Sequence, residues 1–205
     1  LWMDAAAVIR QVFGYGGIGL MTVSGQHVWG IQIFYGVFDL LPGALQPAID
    51  RLTSAYLANN TAVCIALIVA FSAASSLRPS RDPLELARRV AASYWIFQGL
   101  TNVIGWHYFA WAVPVWFAIG GRFGAVAFAL VGGYVYASYA VLTASPWLAG
   151  AWKWSNSPVF PEWLILLRDA AVLFAFASAL YFLFVAAREV VVTLRAKRAG
   201  EPDAS

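Results

Sequence analysis

Apolar residues fall along this chain in long runs broken by short charged stretches. The clearest runs cover roughly 60–77 (NTAVCIALIVAFSAASSL), 90–105 (VAASYWIFQGLTNVIG), 108–121 (YFAWAVPVWFAIGG), 123–144 (FGAVAFALVGGYVYASYAVLTA) and 166–187 (LLRDAAVLFAFASALYFLFVAA). A helix rises about 1.5 Å per residue, so about 20 apolar residues cross a hydrocarbon core about 30 Å thick. Each run therefore predicts a membrane-spanning helix. The second borrows part of LELARR, and the third is short, with Pro114 placed to kink it. A sixth apolar stretch, about 28–45, contains Asp39, Pro42 and several glycines, and predicts an interfacial or re-entrant segment. Residues 1–13 (LWMDAAAVIRQVF) gather Leu1, Ala5, Val8, Val12 and Phe13 on one helical face, with Asp4 and Gln11 opposite. That pattern predicts an amphipathic helix lying in the membrane interface.

The expected fold class is thus all-α: a polytopic transmembrane helix bundle of about five spans, with an N-terminal interfacial helix and a re-entrant or interfacial segment. It divides the chain into an outer-face portion over 1–59, a transmembrane bundle over 60–187 and a basic tail over 188–205.

Composition agrees with this class. The 205 residues are 61% hydrophobic and 11% charged, with a mean hydropathy of +0.71. Soluble domains average about 45–50% apolar and about 25% charged residues. So few charges cannot cover a water-facing surface, and membrane lipids are the expected surroundings. A net charge of +3 could suggest nucleic acid, but the basic residues fall in loops between apolar runs and form no patch. No nucleic-acid partner is expected. Cys64 is the single cysteine and lies inside an apolar run, which excludes an internal disulfide.

Basic residues also set an orientation. If 78–89 (RPSRDPLELARR) is cytoplasmic, alternation of five spans brings Arg122 and the tail from Arg188 to the same side. That side then holds Arg78, Arg81, Arg88, Arg89, Arg122, Arg188, Arg195, Lys197 and Arg198, nine of the 13 basic residues. By the positive-inside rule the C-terminus is cytoplasmic, and the opening loop, the turn near 106 and the 145–162 loop face outward. An extracytoplasmic outer face points to a bacterial inner membrane.

Three clusters on the outward side could carry chemistry. RQVFGYGGIGLMTVSGQHVWG, residues 10–30, holds six of the 17 glycines together with Arg10, Tyr15, Gln26, His27 and Trp29. Its glycines permit close approach of a ligand, and its side chains can donate hydrogen bonds or stack. No Gly-Lys-Ser/Thr follows, so it is not a phosphate-binding P-loop. A phosphate or sugar at the membrane surface suits it, and so does a plain interfacial aromatic belt. GWHYFAWAVP, residues 105–114, sets His107, Tyr108 and Trp111 at an outward turn; anchoring at the interface would use the same residues. Two histidines without matching carboxylates make a weak metal ligand set. The last outer loop and span carry Trp147, Trp152, Trp154, Trp163, Lys153 and Glu162, then Arg168 and Asp169 near the start of the final run. Charges at depth are costly and suggest function, although snorkelling to the interface is the other reading. Small residues recur at Gly132, Gly133, 66–76 and 171–179, where they would let helices pack closely.

The first two clusters together resemble the C-terminal half of the GT-C superfamily of polytopic glycosyltransferases, which use polyprenyl-phosphate sugar donors. An outer-loop signature of that superfamily is matched by Arg10, Val12, Phe13, Gly14, Tyr15, Gly16 and, later, Trp29-Gly30. A second, aromatic signature ending in proline is matched by His107-Tyr108-Phe109-Ala110-Trp111-Ala112-Val113-Pro114. The resemblance runs from about residue 8 to 190. Here His107 replaces an expected glutamine, and the stretch before Trp29 is longer than usual.

The resemblance implies an enzyme that moves a hexosyl group, of mannosyl type, from a polyprenyl-phosphate donor to an acceptor at the outer membrane face. No cofactor and no metal are expected. The superfamily's catalytic aspartate lies in the first outer loop after the first span, a position that Asp4, Asp39 and Asp50 do not match. The expectation is therefore a rear portion of a longer enzyme, inactive alone, with the catalytic residue unassigned here. Arg10 would neutralise the lipid phosphate, and Tyr15, His27, His107, Tyr108 and Trp111 would shape the donor pocket. The alternative class is a non-enzymatic polytopic membrane subunit or a small transporter; the transporter is disfavoured because no internal repeat is visible.

Overall fold

A computed structural model describes residues 22–23, 26–34, 41–77, 80, 82–102, 106–147 and 160–198. A minimal antiparallel ladder, β1 (Thr22–Val23) with β2 (Gln26–His27), sets Thr22 opposite His27 and Val23 opposite Gln26. A 3-10 turn follows over Ile31–Phe34. Five helices complete the described residues: α1 (Gln46–Ser76), α2 (Pro83–Leu100), α3 (Trp106–Ile119), α4 (Gly121–Thr143) and α5 (Glu162–Arg198).

The local sequence explains where these helices start and stop. Pro47 sits in the first turn of α1, where a missing N–H costs nothing. Asp82 caps α2: its carboxylate accepts from the Glu85 N–H at 2.7 Å, and Pro83 opens the helix. α4 ends on Ala144 in the left-handed conformation (φ 51°). The Ser145 N–H then reaches back to the Ala140 carbonyl at 3.0 Å, a Schellman-type close before Pro146.

Each of the five apolar runs falls largely on a helix, the second ending at Leu100, and among the described residues three helices are long and apolar enough to cross a membrane: α1, α4 and α5. The other two differ for physical reasons. α2 has 18 residues, and its first half carries Glu85, Arg88 and Arg89. α3 is apolar but only 14 residues long, about 21 Å by the helical rise.

α1 starts at Gln46, ahead of the apolar run at 60, and so crosses the expected division at 59. The pattern hid this because 46–59 mixes Asp50 and Arg51 with apolar residues, and Leu52 is 71% exposed. Of the stretch 28–45, Val28 and Trp29 sink into the bundle, each 1% exposed, while 41–45 form an exposed turn. The amphipathic pattern of 1–13 lies outside the described residues.

α5 packs along α2 and also meets α1, α4 and the 3-10 turn. Ala171, Ala175 and Ala179 of α5 are buried along this seam, and α2 faces them with Gly99. A Cβ on Gly99 would lie 2.3 Å from the Ala175 carbonyl oxygen and 2.7 Å from the Ala179 Cβ. Only glycine allows that approach. Gly132 and Gly133, the other expected packing glycines, have a different setting. A Cβ on Gly132 would meet the helix's own Phe128 ring at 3.3 Å, and one on Gly133 would meet nothing within 4 Å. They adjoin a π-helical turn over Phe128–Gly132. At the centre, fully buried Trp95 makes edge contacts with Trp116, Phe123 and Phe174 and donates to the Ser178 hydroxyl at 2.7 Å.

Candidate functional site

One end of the bundle carries nearly all of its buried polar side chains. There the C-terminus of α2 meets the first half of α1, the start of α5 and the segment Val28–Phe34. A helix ends with carbonyls that have no partner within the helix. The Leu100 carbonyl is met by Asn60 Nδ2 at 2.9 Å and by the Tyr56 hydroxyl. Asn60 Oδ1 in turn accepts from the Asn102 N–H at 3.0 Å. Two residues of α1 thus finish the C-terminus of α2.

Trp29 ties the incoming segment to this end. Its indole Nε1 donates to the Gln98 carbonyl at 2.9 Å, and its ring lies 4.5 Å from that of Phe109. The Val28 carbonyl accepts from the Tyr134 hydroxyl at 2.6 Å. Gly30 then takes φ +99°, and a Cβ there would fall 2.2 Å from Gln32 Oε1. The positive φ calls for glycine, and a side chain there would also displace the Gln32 amide. Gln32 Nε2 donates to the Trp29 carbonyl and to the Asn102 carbonyl, the latter at 3.3 Å. Gln98, fully buried, accepts on Oε1 from Trp116 Nε1 at 2.8 Å. Two amide atoms stay unpartnered and buried, Gln32 Oε1 and Gln98 Nε2.

Beside this network lies an ion pair. Arg168, in the second turn of α5, is 7% exposed. It contacts Asp169 Oδ1 through Nε at 2.8 Å and NH2 at 2.7 Å, and donates through NH1 to the His27 carbonyl at 2.7 Å. The guanidinium turns into the protein, so Arg168 does not snorkel to solvent. Burial, and then the positive charge of Arg168, hold the His27 imidazole below its ordinary pKa. A neutral ring with a buried, unpartnered Nδ1 results. The arrangement sets a buried, paired cation next to a neutral imidazole that lies within the 10–30 stretch of the sequence. Asp169 neutralises Arg168, so what the arrangement offers a ligand is the neutral imidazole, which can exchange a hydrogen bond with a hydroxyl.

The expected site residues have separate locations. His27 is in β2 next to Arg168. Tyr108 and Trp111 share a face of α3, with ring centroids 5.9 Å apart, and are 45% and 72% exposed. Phe109 and Ala112 of the same helix point to the core. The exposed aromatic pair therefore flanks the polar end without entering it. His107 is in the first turn of α3. Arg10 and Tyr15 lie outside the described residues.

Gln32, Asn60, Gln98 and Asn102 were not singled out from the sequence as candidates. The signal for three of them was present: Asn60, Gln98 and Asn102 interrupt or border apolar runs, where a polar side chain is costly. Among the described residues no group of three His, Cys, Asp or Glu could hold a metal ion. No protein-family model, curated protein sequence or solved structure matches the chain.

Proposed function

We propose that the chain is the rear portion of a membrane glycosyltransferase that takes a hexosyl group from a polyprenyl-phosphate donor. In this reading the chain spans a bacterial inner membrane five times, with its C-terminus in the cytoplasm and the polar end of the bundle at the outer face. The observation that carries the proposal is the buried Arg168, which holds His27, a residue near the end of the glycine-rich stretch in sequence, at the polar end of the bundle. The resemblance carried by Arg10 to Gly16 and by His107 to Pro114 supplies the donor class.

In the reaction, an acceptor hydroxyl attacks the anomeric carbon, and the bond from that carbon to the phosphate oxygen breaks. The hydroxyl proton passes to a carboxylate elsewhere in the longer enzyme. Polyprenyl phosphate leaves. Arg10 would meet the phosphate with paired donors. The exposed ring face of Tyr108 and Trp111 suits the apolar lipid.

A second reading, a non-enzymatic membrane subunit, draws on the same network, since the hydrogen bonds of Asn60 and Trp29 serve only to tie elements together. Transfer from labelled polyprenyl-phosphate hexoses, in membranes containing the gene product from its natural start codon, separates the two. Arg10→Ala should lower turnover roughly tenfold to a hundredfold, the worth of one charge-assisted contact. Unchanged turnover removes Arg10 from the site. No transfer from any such donor leaves the subunit reading.

A further inference from the structure

The opposite end of the bundle holds a cleft that the proposed transfer does not use. The last turns of α1 diverge from the first turns of α2 and leave a space of about 360 Å³, lined by Phe71, Ser72, Ser75, Ser80, Arg89 and Val90 among others. Arg89 stands on its wall. It donates through NH1 to the Ser75 carbonyl at 2.5 Å and pairs with Glu85, and its side chain is 22% exposed. Phe71 forms an apolar floor and is 8% exposed. Leu86 and Val90, which line the cleft, and Val69 and Leu84 of the same two helices are each more than half exposed, an apolar collar where α1 meets α2.

We infer that this cleft binds an anionic phospholipid, with the headgroup phosphate at Arg89 and the serine hydroxyls and the acyl chains along the apolar collar. Three properties select this occupant. The segment 78–89 has four arginines against Asp82 and Glu85, a net charge of +2, which favours an anion. Hydroxyls and a guanidinium are donors suited to phosphate oxygens. The cleft adjoins apolar residues that a bilayer would surround, and basic pockets between membrane helices hold acidic lipid headgroups. The inference is independent of any sugar transfer.

Native mass spectrometry of the delipidated protein in detergent tests it. The probes are phosphatidylglycerol, phosphatidylcholine with the same chains, and glycerol phosphate as the free headgroup. One phosphatidylglycerol should be retained per chain, and phosphatidylcholine about fivefold more weakly, the worth of one basic contact. Arg89→Gln should remove that preference. Ser72→Phe fills the cleft from an exposed position and leaves both bonds of Arg89 in place; it should lower phosphatidylglycerol retention by a similar factor even if Arg89→Gln fails to fold. Equal retention of the two lipids, or undiminished retention in Ser72→Phe, would overturn the inference. Displacement of the lipid by equimolar glycerol phosphate would also overturn it, because the occupant would then be a soluble phosphate.

Discussion

A guanidinium inside an apolar bundle costs several kcal/mol unless its donors are met. Arg168 meets them with Asp169 and the His27 carbonyl, so one ion pair also fixes where the N-terminal segment enters. His27 bears the consequence. Its folded-state pKa lies below its ordinary value near 6.5, through burial and the neighbouring charge. A depressed histidine pKa contributes stability that is complete above 6.5 and is lost as pH falls from there through the folded value, because the unfolded chain then binds the extra proton. The melting temperature of the purified protein should therefore drop between pH 7.5 and 5 by more in the wild type than in His27→Gln. Parallel curves would show that His27 is as readily protonated folded as unfolded. The charged pair was visible in the sequence, since Arg168-Asp169 interrupts an apolar run. Its partner was not: a backbone carbonyl 141 residues away leaves no mark in the residue pattern.

Elements here are joined by small residues and by borrowed hydrogen bonds. α2 and α5 touch backbone to side chain at Gly99, and the seam of Ala171, Ala175 and Ala179 makes room for it. Gly99→Ala should cost about 1–3 kcal/mol, because the helices must part to admit one methyl group. Gly133→Ala is the matched control, with open space at its Cβ, and should leave stability unchanged or slightly raised by helix propensity. Denaturant unfolding of the two variants in detergent checks both, and equal stability would mean the α2–α5 contact is looser than its geometry. The apolar runs located all five helices, but only α1, α4 and α5 have the length and apolarity of the spans expected from them. The residue pattern placed the start of α1 too late, since a helix that passes beyond the apolar run mixes polar and apolar residues. It also treated all glycines in the runs alike, although whether a glycine faces a neighbour depends on the tertiary packing. Gly99 lay within a predicted span without standing out from the others.

At the scale of the whole molecule the two ends differ in character. The end at Leu100 and Arg168 is a network of buried amides, indoles and one ion pair; the end at Ser75 and Arg89 is an open, basic cleft. Composition announced a membrane protein, and α1, α4 and α5 have the length and apolarity for it. Membrane orientation rests on the basic residues alone. A membrane-impermeant maleimide applied to intact cells should label Ser145→Cys and not Ser80→Cys; Cys64, 1% exposed, should stay silent in both. Labelling of Ser80→Cys alone would invert the topology. The polar end was legible only in fragments, because its members come from five separate stretches that sequence spacing cannot bring together.

The proposed function places a polyprenyl-phosphate sugar at that polar end. The most direct measurement is photocrosslinking of the full-length protein in membranes with a diazirine-bearing polyprenyl-phosphate hexose, followed by peptide mapping. Label is expected on peptides covering 10–34 and 107–111, abolished by excess unlabelled donor. Label spread over the exposed apolar faces of α1 and α5, and indifferent to competing donor, would contradict the proposal.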